Sequence, residues 1–95
     1  MAESDKDKEL ELIRKKLKER LVMDLNLQNI KAEDIKDDAP LFGDGLGLDS
    51  LDAVEIVVLL QRHFAVEVKD MEVGRRILQS VSTLAEYVYE RTHAA

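Results

Sequence analysis

The sequence predicts an all-α domain: a small four-helix bundle with three longer helices, one short third helix and a long loop between helices 1 and 2. Three observations lead there. Apolar residues recur at three- and four-residue steps in separate stretches. The only proline and three of the four glycines crowd into one connecting segment, residues 27–48. A length of 95 residues, 45% hydrophobic and 36% charged, suits a single domain with a modest core and no deep enclosed active site.

The first helix is carried by Leu10, Ile13, Leu17, Leu21 and Leu25, with Lys, Arg and Glu between them. Residues 1–6 precede that pattern and read as a flexible N-terminal extension of one domain spanning 1–95. The pattern fades at Asn26. A loop as long as 27–48 is uncommon in a compact domain unless it is functional or held down, so Leu27, Ile30, Ile35, Leu41, Phe42 and Leu46 are expected to anchor it inward. Ala32-Glu33-Asp34-Ile35 reads as a single turn of helix, and Pro40 extends the chain ahead of Leu41. Leu51, Val54, Val57, Val58, Leu60 and Phe64 mark the second helix. Ile56 and Leu59 widen its stripe beyond half the circumference, which makes it the expected central and most buried helix. Val54–Val58 has a strand-like composition, but length and helical spacing decide for a helix. Residues 65–69 link to a short helix over 70–78, where Gly74 costs about 1 kcal/mol relative to alanine. Ser82 or Thr83 is expected to cap the last helix, with Thr83-Leu84-Ala85-Glu86 as a capping box and Leu84, Tyr87 and Val88 facing inward. That helix fades by His93.

Composition removes several functions. Without cysteine there is no disulfide framework, thiolate zinc site or cysteine nucleophile, and two distant histidines make no metal cluster. The N-terminus lacks an apolar h-region, and the longest apolar run, Ile56 to Leu60, is far too short to span a membrane. A monomeric cytoplasmic protein with no stable membrane insertion is the expectation. Net charge is −6, and it is concentrated. Between Glu33 and Glu55 eight carboxylates face Lys36 alone, a local −7 that leaves the remainder at +1. Such a zone repels nucleic acid and speeds encounter with proteins bearing Lys/Arg patches.

One serine lies inside that zone, in Gly45-Leu46-Gly47-Leu48-Asp49-Ser50-Leu51-Asp52-Ala53-Val54-Glu55. A nucleophile elbow requires G-x-S-x-G, and Asp52 stands where the second glycine belongs. Neither His63 nor His93 has a local pattern marking a base. A calcium loop starting at Asp44 would place Leu46 and Leu48 at ligand positions and Asp49 where glycine is required. The glycines also lack the G-x-x-x-x-G-K-[ST] spacing that cradles nucleotide phosphates. No catalytic and no metal-binding residue is therefore assigned. Asp49 or Ser50 can instead cap the second helix. If Asp49 caps, Ser50 falls in the first turn, with an exposed hydroxyl over the positive helix end, a place that favours an attached phosphate.

The string Gly47 to Glu55 resembles the D-S-L attachment motif of acyl carrier proteins and the start of their recognition helix. The resemblance extends over nearly the whole chain, through the amphipathic first helix, the loop anchored by Phe42, the second helix ending in Phe64 and the capped last helix. It implies that Ser50 carries 4′-phosphopantetheine, derived from coenzyme A, whose thiol holds acyl groups as thioesters. It also implies partners. Asp49, Asp52 and Glu55 would face basic patches on a phosphopantetheinyl transferase, a ketosynthase and other acyl-transfer enzymes, with Leu51 and Val54 adding apolar contacts. Phe42, Leu46, Val54, Val57, Val58, Leu60, Ile77 and Leu84 would line a shelter for the acyl chain.

Three features depart from the fatty-acid-synthesis pattern: Gln61-Arg62-His63 at the end of the second helix, Arg75-Arg76 in the third, and the charged N-terminal extension. They suggest a carrier with a dedicated or specialised partner set, while the resemblance as a whole implies service to fatty-acid or specialised polyketide or lipid enzymes. A peptidyl or aminoacyl carrier is the alternative within the class, and an unmodified acidic interaction module is the alternative outside it. An enzyme ranks last.

Overall fold

The computed structural model describes residues 2–28, 30–42 and 47–93, with residues 2–4, Ser50 and Met71 described by their backbone. Helix α1 spans Ala2–Asp24, α2 Ser50–Phe64, α3 Met71–Ile77 and α4 Val81–His93, and a 3-10 turn occupies Ala32–Asp34. No strand forms among the described residues; Phe42 and Leu48 make one isolated parallel bridge.

Helix α1 includes residues 2–6, which the apolar pattern set apart as an extension. No glycine or proline interrupts the stretch, and acidic Asp5 suits the positive end of a helix. At its other end Asn26 adopts φ 54°, and Leu27 N–H donates to the Val22 carbonyl at 3.0 Å, a Schellman-type stop.

The core draws Leu10, Leu17 and Leu21 from α1, Ile56, Leu59 and Leu60 from α2, Ile77 from α3 and Val81, Leu84, Ala85 and Val88 from α4. The most extensive helix pairing joins α1 to α4. This corrects the expectation that α2 is the most buried helix. Its wide apolar stripe is two stripes: Ile56, Leu59 and Leu60 face the core, whereas Leu51, Val54 and Val58 are 77%, 61% and 40% exposed. At 3.6 residues per turn the exposed three fall within about 60° of one another, away from the buried three.

The long loop is held at both levels of structure. Ile35, Leu41 and Leu48 are buried in the core, while Leu27, Ile30 and Phe42 pack against it half-buried. Leu46 lies outside the described residues. Backbone hydrogen bonds fasten the loop to the α3–α4 junction: Leu41 N–H to the Gln79 carbonyl at 3.0 Å, and Ser82 N–H to the Asp37 carbonyl at 2.8 Å. Asp37 also meets Lys18 at 2.6 Å and Arg14 at 3.5 Å, tying the loop to α1.

Helix α4 starts earlier than Thr83-Leu84-Ala85-Glu86 implied. Ser80 is the cap, because its Oγ accepts from Thr83 N–H at 3.2 Å while Thr83 Oγ1 accepts from Ser80 N–H at 3.0 Å. Threonine takes the reciprocal role usually filled by Glu or Gln. Asp70 caps α3, accepting from Val73 N–H at 2.9 Å. Leu60 O receives both Ala65 N–H and Val66 N–H at the end of α2, with Ala65 held at φ 55°.

Two stability changes of opposite sign follow. Ser80→Ala removes a buried cap and is expected to cost about 1 kcal/mol. Ala65→Gly relieves a left-handed alanine and is expected to add up to about 1 kcal/mol. Urea titration of both variants checks them, and an Ala65→Gly protein weaker than the parent contradicts the strain assignment.

Candidate functional site

The glycine-flanked serine opens α2, and its position is set by two aspartates. Asp49 is extended, at φ −120° and ψ −172°, and its Oδ1 accepts from Leu51 N–H at 3.0 Å and Asp52 N–H at 3.2 Å. Asp52 Oδ2 returns the bond, accepting from Asp49 N–H at 2.9 Å. This capping box satisfies donors that a helix end otherwise leaves unpaired, and its carboxylates oppose the positive helix end. Ser50 is thereby the first helical residue, as the Asp49 alternative required. One part of the electrostatic expectation changes: the amides of Leu51 and Asp52 are already engaged by Asp49, so the helix end is not a vacant anion cradle.

The remaining residues of the face stand around this turn. Asp49, Leu51, Val54 and Glu55 are exposed, and Asp52 is half-buried. Leu51 and Val54 are therefore not core residues, the reading that periodicity alone favoured for them. Val58 continues the same exposed stripe one turn further.

A groove of about 1050 Å³ opens beside Asp49. Its apolar walls come from Phe42 and Leu48 of the loop, Ala53, Val54 and Val57 of α2, Val68 of the linker, and Gly74 and Leu78 at α3. Asp38, Lys69, Asp70 and Arg75 are among its polar lining residues.

Of the residues named as lining from sequence, Phe42, Val54 and Val57 meet in this groove. Leu46 lies outside the described residues. Leu60, Ile77 and Leu84 do not line it; they are closed into the core at 0%, 5% and 0% exposure. Val58 points away on the exposed face. Leu48, Ala53, Val68, Gly74 and Leu78 were missed. Apolar periodicity marks which residues leave water, and that rule selects the packed interior rather than the walls of an opening. A small residue beside the serine, Ala53, and a glycine inside a helix, Gly74, were the available signals.

His63 has a structural place. Its Nε2 lies 3.1 Å from Asp24 Oδ2, Arg20 donates to the other oxygen of Asp24 at 3.2 Å, and Lys16 Nζ donates to the His63 carbonyl at 3.4 Å. The cluster joins the C-terminal ends of α1 and α2. His93 stacks on Tyr89 with ring centroids 4.1 Å apart. Among the described residues no group of three acidic or histidine side chains gathers as a metal site, and no helix is long and apolar enough to cross a membrane.

A family model described as the phosphopantetheine attachment site matches residues 12–88. The match begins within α1, runs through the capped turn at Ser50 and the groove, and ends in α4.

The two kinds of residue in this region are expected to separate in denaturation experiments. Asp49→Ala loses the cap and costs roughly 0.5–2 kcal/mol. Leu51→Ala and Val54→Ala change stability by less than about 0.5 kcal/mol. Leu60→Ala opens a core cavity and costs about 2–5 kcal/mol. A large destabilisation in Leu51→Ala would place that side chain in the core.

Proposed function

The chain belongs to the phosphopantetheine-attachment family, whose members are non-catalytic carriers of a covalently attached 4′-phosphopantetheine, and from that premise we propose that it carries acyl groups on an arm joined to Ser50. When bound, the arm supplies the thiol that a cysteine-free chain lacks, and with it a thioester link to the cargo.

The observation that carries the acyl reading over a peptidyl one is the groove. Asp49, Ala53 and Val54 flank Ser50 in sequence and also line the groove, so a tether at position 50 begins at the edge of a mostly apolar opening. Apolar cargo entering it leaves water, worth about 0.8 kcal/mol per buried methylene. A peptidyl cargo would bring amides that need partners, and the side chains of Phe42, Leu48, Ala53, Val54 and Val57 along the wall offer none. The group fits these residues in a second way. The capping box uses the aspartates for the helix amides, so the first-turn amides do not need the residue at position 50 as a cap.

The same turn serves docking. Asp52 and Glu55 give direction and encounter rate to partners with basic patches, and exposed Leu51 and Val54 supply the apolar anchors. Phosphopantetheinyl transferase, a ketosynthase and other acyl-transfer enzymes are the partners this surface suits. A supply of such carriers to fatty-acid or specialised lipid or polyketide synthesis, in the cytoplasm, completes the reading.

Incubation with coenzyme A and a broad-specificity phosphopantetheinyl transferase tests it by intact mass. The parent chain is expected to gain one phosphopantetheine and Ser50→Ala none; an unmodified parent would leave the interaction module as the better account. Glu55→Lys is expected to slow the modification about tenfold at low salt and to flatten its salt dependence. An unchanged rate in that variant would remove Glu55 from the docking face.

A further inference from the structure

Outside the exposed face of α2, the large apolar side chains most open to solvent among the described residues are Leu12 at 62% and Met23 at 67%, both on α1. Single exposed apolar residues are ordinary. These two share a face. About three turns apart at 100° per residue, they point within about 20° of one another and stand roughly 16 Å apart along the axis. Lys16 and Glu19, both exposed, lie between them, and the four fall within about 60° of arc. Leu10, Leu17 and Leu21 occupy the opposite side of the helix, buried in the core. The stripe therefore faces away from the domain.

Its charges differ from those of their neighbours. Arg14 and Lys18 are drawn to Asp37, and Arg20 to Asp24, so these cations are matched within the chain. Lys16 reaches a neutral acceptor, the His63 carbonyl at 3.4 Å, and keeps its charge uncancelled. Glu19 makes no ion pair among the described residues. Along α1 the stripe thus runs apolar, positive, negative, apolar. That order is complementary to itself when reversed. A two-fold axis perpendicular to the helix, passing between Leu17 and Lys18, sets Leu12 against the partner's Met23 and Lys16 against the partner's Glu19, and each contact occurs twice. An anionic lipid surface fits less well, because it would meet Glu19 at the centre of the face.

We propose that the outer face of α1 pairs with the same face of a second copy of this chain, as an antiparallel helix pair, in place of the monomer that the sequence suggested. The net charge of −6 opposes association, but the acidic segment from Glu33 to Glu55 holds more than all of it and lies outside the stripe. Four large apolar side chains across the pair are fewer than a stable homodimer holds, which puts this interface in the weak class that buries less than about 1,200 Å². None of the four residues belongs to α2 or lines the groove, so the pairing does not depend on Ser50 or on any arm it bears.

Sedimentation equilibrium of the unmodified full chain, at concentrations up to about 1 mM, tests it. The apparent mass is expected to rise with concentration from that of one chain towards two. Leu12→Glu and Met23→Glu are each expected to weaken the association about tenfold or more. Lys16→Glu and Glu19→Lys each set like charges across the two-fold axis and are expected to stay single on their own. Mixed in equal amounts, these two variants are expected to associate, since the mixed pair has opposite charges at both contacts. All four side chains are exposed, so far-UV circular dichroism of every variant is expected to match the parent. A single-chain mass at every concentration overturns the proposal. So does association that survives Leu12→Glu and Met23→Glu, or a mixture of the charge variants that stays as dissociated as its components.

Discussion

The capping box between Asp49 and Asp52 is the constraint on which the functional end of this protein depends. Helix α2 follows a loop that carries three of the chain's four glycines, so no inherent stiffness tells the helix where to begin. The reciprocal bonds of Asp49 and Asp52 supply that point. Everything after it follows by helical geometry. Counting in steps of 100° from Ser50, Leu51, Val54 and Val58 fall on the outer face and Ile56, Leu59 and Leu60 on the inner one. The division of labour also gives the capping role to Asp49. Had Ser50 been the cap, the amides of the first turn would claim its hydroxyl; the carboxylate of Asp49 takes them instead.

The loop before this turn is as much a part of the site as the helix after it. Phe42 and Leu48 form one wall of the groove, and neighbouring Leu41 is buried in the core at 1% exposure. Leu48 N–H donates to the Leu41 carbonyl at 3.2 Å, and Leu41 N–H in turn donates to Gln79 at the α3–α4 junction. These bonds give a segment without regular structure the positional definition of a strand edge, and its buried backbone groups the partners they need. The groove is therefore bounded by elements fastened independently: α2 by its cap, the loop by backbone pairing, and α3 by Asp70 and its contact with α4. A seam between separately anchored walls can exist without collapsing the core beneath it.

Much of the fold was legible because it rests on local rules. The four helices, the short turn at Ala32–Asp34 and the anchoring residues Ile35 and Leu41 follow from spacing and burial tendency, and cap preference narrowed the start of α2 to Asp49 or Ser50, between which the structure selects Asp49. The misjudged burial of α2 and of the groove walls shares one physical cause: each needed knowledge of what lies opposite. The apolar run of α2 does not reveal that its two stripes face different media, because periodicity reports amphipathicity and not the presence of a neighbour. Ser80 was overlooked as a cap because Thr83, three residues on, is not the Glu or Gln that usually announces one. For the candidate site, the serine turn could be read from sequence, whereas the groove walls could not. Leu60 and Leu84 have the composition of lining residues and the geometry of core residues, and only tertiary structure separates the two.

The acidic segment also takes on a finer form. Its carboxylates are not an undifferentiated −7. Asp34 accepts from Lys31 N–H at 3.2 Å to close the 3-10 turn, and Asp37 is drawn into ion pairs with Arg14 and Lys18. Pairing neutralises Asp37 at short range, and what persists at distance is screened within about 10 Å at ordinary salt. Asp49 and Asp52 are held in place by the amides they cap, which fixes their position without cancelling their charge. Glu55, exposed one turn further along, completes a compact and oriented set at the start of α2. Part of the charge a partner meets is thus fixed beside Ser50. The interactions that build the helix end also fix its charge, so under the proposed docking role stability and partner encounter would draw on the same carboxylates at Asp49 and Asp52. Only Glu55 is free to change one without the other.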